Sequence, residues 1–373
     1  MKIPQFQPFL DDKEYQAIKS CFDNNWITEG PKSKEFIDKL CKLIGVKHAV
    51  LAPNGTLSIY MALRAIGIGK GDEVIVPNFT FIASANAVEM CGAKPVFVDI
   101  CDDLHIDLNK CEKLVNRKTK AIMPVHIYGM ACNMDEVVSF AKKHKLKIVE
   151  DAAQAIGISW DGKHAGTFGE VGSFSFFADK TITTGEGGLV VTNDDTIYEK
   201  LLFIRNQGRI DRGSFIHPEI GYNFRMTDIQ SAIGLAQLEK LDEIIRRKKH
   251  ILSTYKTNLD SSIKIIEPPF QSSHIPFRVC ITVSGGGYDL MEYMKTQGIE
   301  TRTFFYPLHK QPAYQKQKTF FSKLFKKDNF EVSEKMYREG VCLPSFVSIS
   351  DEEIKYICDK INEFLREKTV GIL

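Results

Sequence analysis

The sequence predicts an α/β protein: a large domain with a mostly parallel central sheet, followed by a smaller C-terminal α+β domain. The 373 residues exceed one average domain, so two unequal domains are the natural division. Between residues 55 and 192, short apolar runs alternate with helix-length segments, which is typical of a parallel sheet covered by helices on both faces. With 43% hydrophobic and 26% charged residues, the composition is that of a globular protein with a sizeable core.

The predicted elements follow this alternation along the chain. Apolar, β-rich runs predict buried strands at residues 73–77, 95–99, 121–125, 147–151, 173–177 and 188–191. Helical patterns are found at residues 57–65, 84–91 and 134–144. Ligands of such sheets bind beyond the carboxyl ends of the strands, so the residues that follow each strand are candidates for the functional site.

A long helical pattern from residue 227 to about 259 leads into the C-terminal part. We place the domain boundary near its middle, which gives a large domain over residues 1–245 and a small domain over residues 246–373. The small domain is predicted to contain a strand at 278–283, helices at 288–297 and 351–366, and an extended segment at 301–307.

Charge and composition argue against several classes of partner. A net charge of +2, from 49 basic and 47 acidic residues, gives no reason to expect nucleic acid or a membrane surface. The basic run at residues 246–250 is expected to be a solvated helical face. No signal peptide or membrane span is recognisable. The nine scattered cysteines, without a C-x-x-C pair, indicate reduced thiols in a cytoplasmic protein and no metal site.

Three segments carry residue types suited to binding and catalysis. Gly55 and Thr56 open an apolar helix whose free N–H groups form a ready anion site, although this motif alone is more often an ordinary helix cap. Asp151 ends a buried strand, where a carboxylate requires a partner; a protonated pyridine nitrogen or a helix cap would provide one. Lys180 follows a buried aromatic run that contains Ser175, and partial burial makes an amine nucleophilic toward an aldehyde.

Several motifs in order resemble the sugar-aminotransferase family of fold type I enzymes, which depend on pyridoxal 5′-phosphate (PLP). The resemblance covers nearly the whole chain. It rests on residues 54–56, 80–86, 150–154, 174–188 and 221–227. The chain departs twice from the part of the family that it most resembles: Ala178 and Asp179 replace a glycine and an asparagine before the lysine, and Gln154 replaces a glutamate.

The resemblance implies a role for each matching residue. Lys180 would carry the cofactor and act as the acid–base catalyst, and Asp151 would pair with the pyridinium nitrogen. The other cofactor contacts would be a ring-stacking Phe81, for which a core position is the alternative, Gln154 near the ring, and a phosphate site of Gly55, Thr56, Ser175 and Asn223.

The implied Asn223 belongs to the neighbouring subunit, so the resemblance also implies a homodimer with shared active sites. His309 would lie near the sugar substrate, although a lone histidine in a loop is more often structural. Arg225 would bind a carboxylate or phosphate of the substrate, or brace the subunit interface.

The implied reaction transfers an amino group from L-glutamate to C4 of a nucleotide-linked 4-keto-6-deoxyhexose. GDP-4-keto-6-deoxymannose is the first expectation, in the synthesis of a surface polysaccharide such as the O-antigen. UDP- or dTDP-linked sugars, or a C3 ketone, remain open. Relatives that remove a sugar hydroxyl carry histidine in place of the lysine, so Lys180 argues against a dehydratase. Asp151, Ser175 and Lys180 together argue against a non-catalytic regulator.

Overall fold

The computed structural model describes residues 2–209, 213, 215–315 and 329–370. Its strands form a seven-stranded sheet, a four-stranded sheet and a two-stranded hairpin. In chain order the strands are β1 (His48–Ala52), β2 (Glu73–Pro77), β3 (Lys94–Val98), β4 (Thr119–Ile122), β5 (Lys147–Asp151), β6 (Ser159–Trp160), β7 (Lys163–His164), β8 (Val171–Ser175), β9 (Gly188–Thr192), β10 (Lys264–Ile265), β11 (Val279–Thr282), β12 (Arg302–Thr303) and β13 (Gly340–Leu343).

Helices surround the two larger sheets. In chain order the helices are α1 (Asp12–Asp23), α2 (Pro31–Ile44), α3 (Gly55–Ala65), α4 (Ala83–Met90), α5 (Leu108–Cys111), α6 (Met134–His144), α7 (Asp195–Arg205), α8 (Asp228–Glu239), α9 (Leu241–Asn258), α10 (Gly287–Thr296), α11 (Pro312–Gln315), α12 (Glu331–Glu339) and α13 (Asp351–Val370). Short 3-10 turns occupy Ile127–Gly129 and Leu308–Lys310.

The large sheet has the strand order β1-β9-β8-β5-β4-β2-β3. Strands β3, β2, β4, β5 and β8 pair in parallel, whereas β9 runs antiparallel to both β8 and β1. The prediction of a mostly parallel sheet is therefore confirmed. Strand β9 reverses because no helix connects it to β8; the chain returns through the loop that contains Lys180.

Both faces of the large sheet are buried, because alternate residues along each strand enter different clusters. In β2, Ile75 packs into one hydrophobic cluster, while Val74 and Val76 pack into another. In β5, Ile148 and Val149 divide in the same way. This alternation follows from the period of two in an extended strand, and it agrees with helices on both sides of the sheet.

The small sheet has the order β10-β11-β13-β12 with antiparallel pairing throughout. Its core cluster combines residues of α9, the sheet and α13 with Ile3 from the N-terminal segment. Ile3 also forms a parallel bridge with Ile299, so the start of the chain packs against the C-terminal part. The predicted boundary at residue 245 lies within α9 and stays a prediction.

The long helix predicted over residues 227–259 is wrong in one respect, since it is two helices that meet at Lys240. This residue has φ −97° and ψ 0°, ends α8 and precedes α9. Its buried amine lies 2.7 Å from Glu14 Oε1 and 3.1 Å from Asp11 Oδ2. Apolar residues continue across the break, so the periodicity did not reveal it.

The prediction of a solvated basic face at residues 246–250 is wrong for Lys248, which is buried. Strand ends also differ from the prediction by up to three residues. The predicted strand at 121–125 ends at Ile122, and that at 173–177 ends at Ser175.

Candidate active site

A cavity of about 700 Å³ lies at the carboxyl ends of the large sheet's strands, where parallel sheets bind their ligands. Its walls include residues that follow β1, β2, β4, β5 and β8, together with residues from the start of β11 and from β12. Seven of the ten predicted site residues line it: Gly55, Thr56, Phe81, Asp151, Gln154, Ser175 and Lys180.

One end of the cavity is a backbone turn without room for a side chain. Asn54 caps α3, since its Oδ1 accepts a hydrogen bond from the Leu57 N–H at 3.0 Å. A Cβ atom on Gly55 would lie 2.8 Å from Ser175 Cβ and 3.0 Å from Ser175 Oγ. Glycine is therefore required for the start of α3 to approach Ser175, and this approach places N–H groups and hydroxyls at a helix N-terminus, which suits a phosphate.

Asp151 is buried at the end of β5, with its carboxylate facing the cavity wall. Its Oδ2 accepts a hydrogen bond from Ser84 Oγ at 2.6 Å, and its Oδ1 accepts one from the Ala153 N–H at 3.1 Å. Burial raises the pKa of this carboxyl group, whereas the two hydrogen bonds and the charge of Lys180 act in the opposite direction. A cationic N–H in the cavity would stabilise the ionised form.

Glu150, the residue before Asp151, anchors the backbone segment that leads into β8. This fully buried carboxylate accepts hydrogen bonds from the backbone N–H groups of Gly166, Phe168 and Gly169 at 2.6–2.7 Å. Its Oε2 also lies 3.0 Å from Nε2 of the buried His126, which lines the cavity. Both Glu150 and Asp151 thus have the hydrogen-bond partners that a buried carboxylate needs, and the partners of the two residues differ.

Lys180 lies in the loop between β8 and β9, and its side chain is 14% exposed. Its Nζ is 4.6 Å from the centre of the Phe277 ring and 3.8 Å from Asp179 Oδ1. Burial lowers the pKa of this amine from its usual value, and the charge of Arg278 adds to this effect, while Asp179 opposes it. An amine whose pKa is lowered becomes neutral, and hence nucleophilic, at a lower pH than an ordinary lysine amine.

Aromatic and amide groups form another wall of the cavity. Phe81 is 58% exposed, so it is not a core residue, and its ring lies 6.2 Å from that of Phe305. Phe305 stacks on Tyr128 with centroids 5.4 Å apart. Gln154 Oε1 accepts a hydrogen bond from the Tyr128 N–H at 2.7 Å, which leaves its amide nitrogen to donate to a ligand.

Three predicted site residues are not part of the cavity wall in the described chain. Asn223 is exposed, and Arg225 donates a hydrogen bond to Asn206 Oδ1 at 2.7 Å. His309 lies 3.1 Å from Asn78 Oδ1 through Nδ1 and 3.1 Å from Glu334 Oε1 through Nε2. A single chain therefore does not bring these three to the amine and the carboxylate.

Sequence reasoning missed three basic residues of the wall, His126, Arg278 and Arg302. It also missed Ser84, which donates a hydrogen bond to Asp151. His126 comes just after β4, the position that the strand-end rule indicates, so a signal was present. Arg278 and Arg302 come from the small sheet, and no local pattern could place them beside Lys180.

Within the described residues, no group of three or more His, Cys, Asp or Glu side chains is arranged to hold a metal ion. All nine cysteines are free thiols. Among the described residues, none of the helices combines the length and the apolar composition that crossing a bilayer requires.

The residues present fit PLP. The turn at Gly55 and Ser175 offers donors to a phosphate, and a pyridinium nitrogen would stabilise the charge of the buried Asp151 carboxylate, whose pKa burial raises. The cavity also contains one buried amine of lowered pKa, that of Lys180, able to form an imine with an aldehyde.

Comparisons with known proteins agree with this geometry. The chain is 41% identical to GDP-perosamine synthase of Escherichia coli O157:H7, covering 98% of this chain and 99% of that protein. It is 37% identical to GDP-perosamine synthase of Vibrio cholerae, covering 97% and 99%. The structure matches Spr1654 of Streptococcus pneumoniae, assigned as a sugar aminotransferase and solved in its PLP form, with a TM-score of 0.91, 26% identity and coverage of 97% and 98%.

The model of the DegT/DnrJ/EryC1/StrS aminotransferase family matches residues 8–362. Together with the full-length relatives and the cavity that suits PLP, this match confirms the predicted fold type I architecture. The chain is a PLP-dependent sugar aminotransferase and belongs to the DegT/DnrJ/EryC1/StrS aminotransferase family.

Proposed function

We propose that this enzyme transfers the amino group of L-glutamate to C4 of GDP-4-keto-6-deoxymannose, yielding GDP-perosamine and 2-oxoglutarate. The observation that carries the proposal is the identity of 37–41% to GDP-perosamine synthases over nearly the full chain. The UDP- and dTDP-linked sugars are not favoured by these relatives. We assign the product to surface polysaccharide synthesis, such as that of the O-antigen, in the cytoplasm.

Different residues of the cavity have different roles in the reaction. PLP, when bound, supplies an electron sink and an aldehyde that exchanges for an amine. Lys180 would hold or release a proton at Nζ, and Asp151 would hold a proton at the ring nitrogen. Gly55, Thr56 and Ser175 would bind the phosphate.

Two further cavity residues would orient the ring of the cofactor. Phe81 would stack on one face of the ring, which its exposed position in the cavity wall permits. Gln154 would donate its amide N–H near the ring, because its oxygen is already bonded to the backbone of Tyr128.

The proposed assembly is a homodimer in which each subunit completes the other's site. Asn223 is exposed and lies outside the cavity of its own chain, as a residue that serves a neighbouring site would. We assign its side chain to the cofactor phosphate of the partner. Arg225 and His309 are proposed to act on the substrate or at the subunit interface near it.

The test is product analysis with a panel of sugars. Purified protein is given L-glutamate with GDP-, UDP- or dTDP-linked 4-keto-6-deoxyhexoses, and the products are identified by mass spectrometry. We expect a 4-amino sugar with the GDP substrate and much less with the other two. Amination of the UDP or dTDP sugar in preference to the GDP sugar would contradict the proposal.

The variant Lys180→Ala checks the catalytic assignment in the same assay. It should lose amino-sugar formation and the visible absorbance of bound PLP, since no other described lysine shares the cavity wall. Lys200→Ala, which removes an exposed lysine of α7, is the matched control and should retain both. Unchanged amination by Lys180→Ala would exclude the role given to this residue.

A further inference from the structure

Asp179 is the carboxylate beside the Lys180 amine, and one of its oxygens has no hydrogen-bond partner among the described residues. Its Oδ2 accepts a hydrogen bond from Arg278 Nη2 at 2.6 Å and lies 4.0 Å from Arg302 Nη1. Its Oδ1 is buried and lies 3.8 Å from Lys180 Nζ, slightly too far for a hydrogen bond. A buried carboxylate oxygen without a donor is costly, so Oδ1 is available to accept one.

The Asp179 carboxylate is held in place by an arginine from outside its own loop. Arg278, just before β11, is 8% exposed and donates from Nη1 to Gln5 Oε1 at 2.5 Å. Its guanidinium carbon lies 4.8 Å from the centre of the Phe277 ring, and Lys180 Nζ lies 4.6 Å from the same centre. The arginine and the amine thus share one aromatic ring, with Asp179 reaching both.

We propose that Asp179 is a positioning residue whose Oδ1 holds the Lys180 amine whenever this amine is free, and whose charge sets the pH at which the amine can react. A small rotation of the lysine side chain would close the 3.8 Å separation to hydrogen-bond distance. The arginine keeps Asp179 from following the amine when Lys180 turns toward a ligand. The inference rests on the proposed function only in giving Lys180 the task of reacting with the cofactor.

The charged groups around the amine come from four elements. Asp179 lies in the same loop, Asp151 ends β5, Arg278 precedes β11 and Arg302 begins β12. A fifth element, α9, contributes Lys248 near the carboxylate; burial lowers the pKa of this amine to about 7, so it is charged only below that pH. Burial is the largest influence and lowers the pKa of Lys180; Asp179 is the strongest opposing charge, followed by Asp151, while Arg278 acts in the same direction as burial.

The experiment measures how fast cofactor-free protein takes up PLP at a series of pH values. The aldehyde C=O is replaced by a C=N bond to the amine, and the carbonyl oxygen leaves as water with the two amine protons. Because only the neutral amine can add to the aldehyde, the rate of the absorbance change, followed against pH, gives the pH at which half of the amine is neutral. Asp179→Asn removes the charge but keeps an acceptor for Arg278. Its midpoint should move to lower pH by about one unit, because a carboxylate near an amine favours the charged form.

Arg278→Gln breaks the same ion pair from the other side, and its midpoint should move to higher pH. Opposite shifts from the two variants support the proposal. Shifts in the same direction would reveal a merely structural role and overturn it, as would no shift in Asp179→Asn. Glu199→Gln, which removes an exposed carboxylate of α7 outside the cavity wall, is the matched control and should leave the midpoint in place.

The outcome separates this inference from the proposed function. Uptake of PLP by the parent protein, with unshifted midpoints in both variants, would overturn the role of Asp179 alone. A parent protein that takes up no PLP at any pH would overturn both.

Discussion

Lys248 is a buried lysine of α9, close to the site, and no carboxylate of the described residues lies within hydrogen-bond distance of it. Its Nζ donates to the carbonyl oxygens of Ser345 at 2.9 Å and Phe277 at 3.2 Å. Burial lowers its pKa from 10.5 to about 7, and the charge of Arg278 adds to the effect. Between these two pKa values the unfolded chain binds a proton that the folded chain releases, so the free energy of unfolding rises with pH.

We therefore expect Lys248 to raise the free energy of unfolding by roughly 3 kcal/mol between pH 7 and pH 9.5. The measurement is urea unfolding of the parent and of Lys248→Met at both pH values. Comparing the two proteins cancels the other titrating groups, and the methionine variant should lack this rise. Parallel pH dependence in both would mean that Lys248 is protonated throughout.

The sequence predicts those site residues whose position follows directly from a neighbouring strand. Asp151, Ser175 and Lys180 stand just after or at the end of strands, and the structure gathers all three around one cavity. The partners that tune them could not be predicted in the same way. Arg278 meets Asp179 only because the small sheet folds over the loop, and nothing in the residues around Arg278 indicates that approach.

Helix α2 depends for its N-terminal cap on a residue of another helix. Its own cap position, Gly30, has no side chain to offer. Asp228, the first residue of α8, accepts hydrogen bonds from the N–H groups of Gly30, Lys32 and Ser33 at 2.7–3.0 Å, and another from Ser33 Oγ at 2.6 Å. The buried carboxylate thus joins two helices that cover the large sheet.

Replacing Asp228 with alanine should lower the free energy of unfolding by roughly 2–4 kcal/mol, because three helix N–H groups and a buried hydroxyl lose their acceptor. Denaturant unfolding gives the value. Asp38→Ala, which removes an exposed aspartate of α2 paired with Lys34, is the control and should change it by less than about 1 kcal/mol. Equal losses in both variants would argue against the cap.

Among the elements, the parallel strands and their helices could be predicted because each has its own periodicity. The break at Lys240 could not, since Leu238, Leu241 and Ile244 continue the apolar pattern on both sides of it. At the break the lysine pairs with Glu14 and Asp11, which lie far from it along the chain, so no local pattern marks the position. The reversal of β9 has a different origin, because no helix joins it to β8 and returns the chain across the sheet.

The proposed shared site makes a prediction about the assembled molecule. Lys180→Ala and Asn223→Ala each remove one half of every site, so each homodimer should be weakly active or inactive. In a mixed dimer, one of the two sites combines an intact lysine with an intact asparagine. Co-expression at equal levels should therefore restore activity to about a quarter of the parental sites.

The measurement is amino-sugar formation by the co-expressed pair, with each variant alone as the control. Sedimentation velocity checks that the preparations are dimers. A co-expressed pair no more active than the better single variant would contradict the exchange of residues between subunits.

The contacts of the N-terminal segment with the C-terminal part have a practical consequence. Ile3 packs in the core of the small sheet, and Gln5 bonds to the arginine that steadies Asp179. The N-terminal segment is thus linked by hydrogen bonds, through the side chains of Gln5 and Arg278, to Asp179 in the loop that contains the reactive amine. Trimming them or fusing a bulky tag close to them would alter a network far along the chain, so preparations with different starting residues are not interchangeable in studies of cofactor loading.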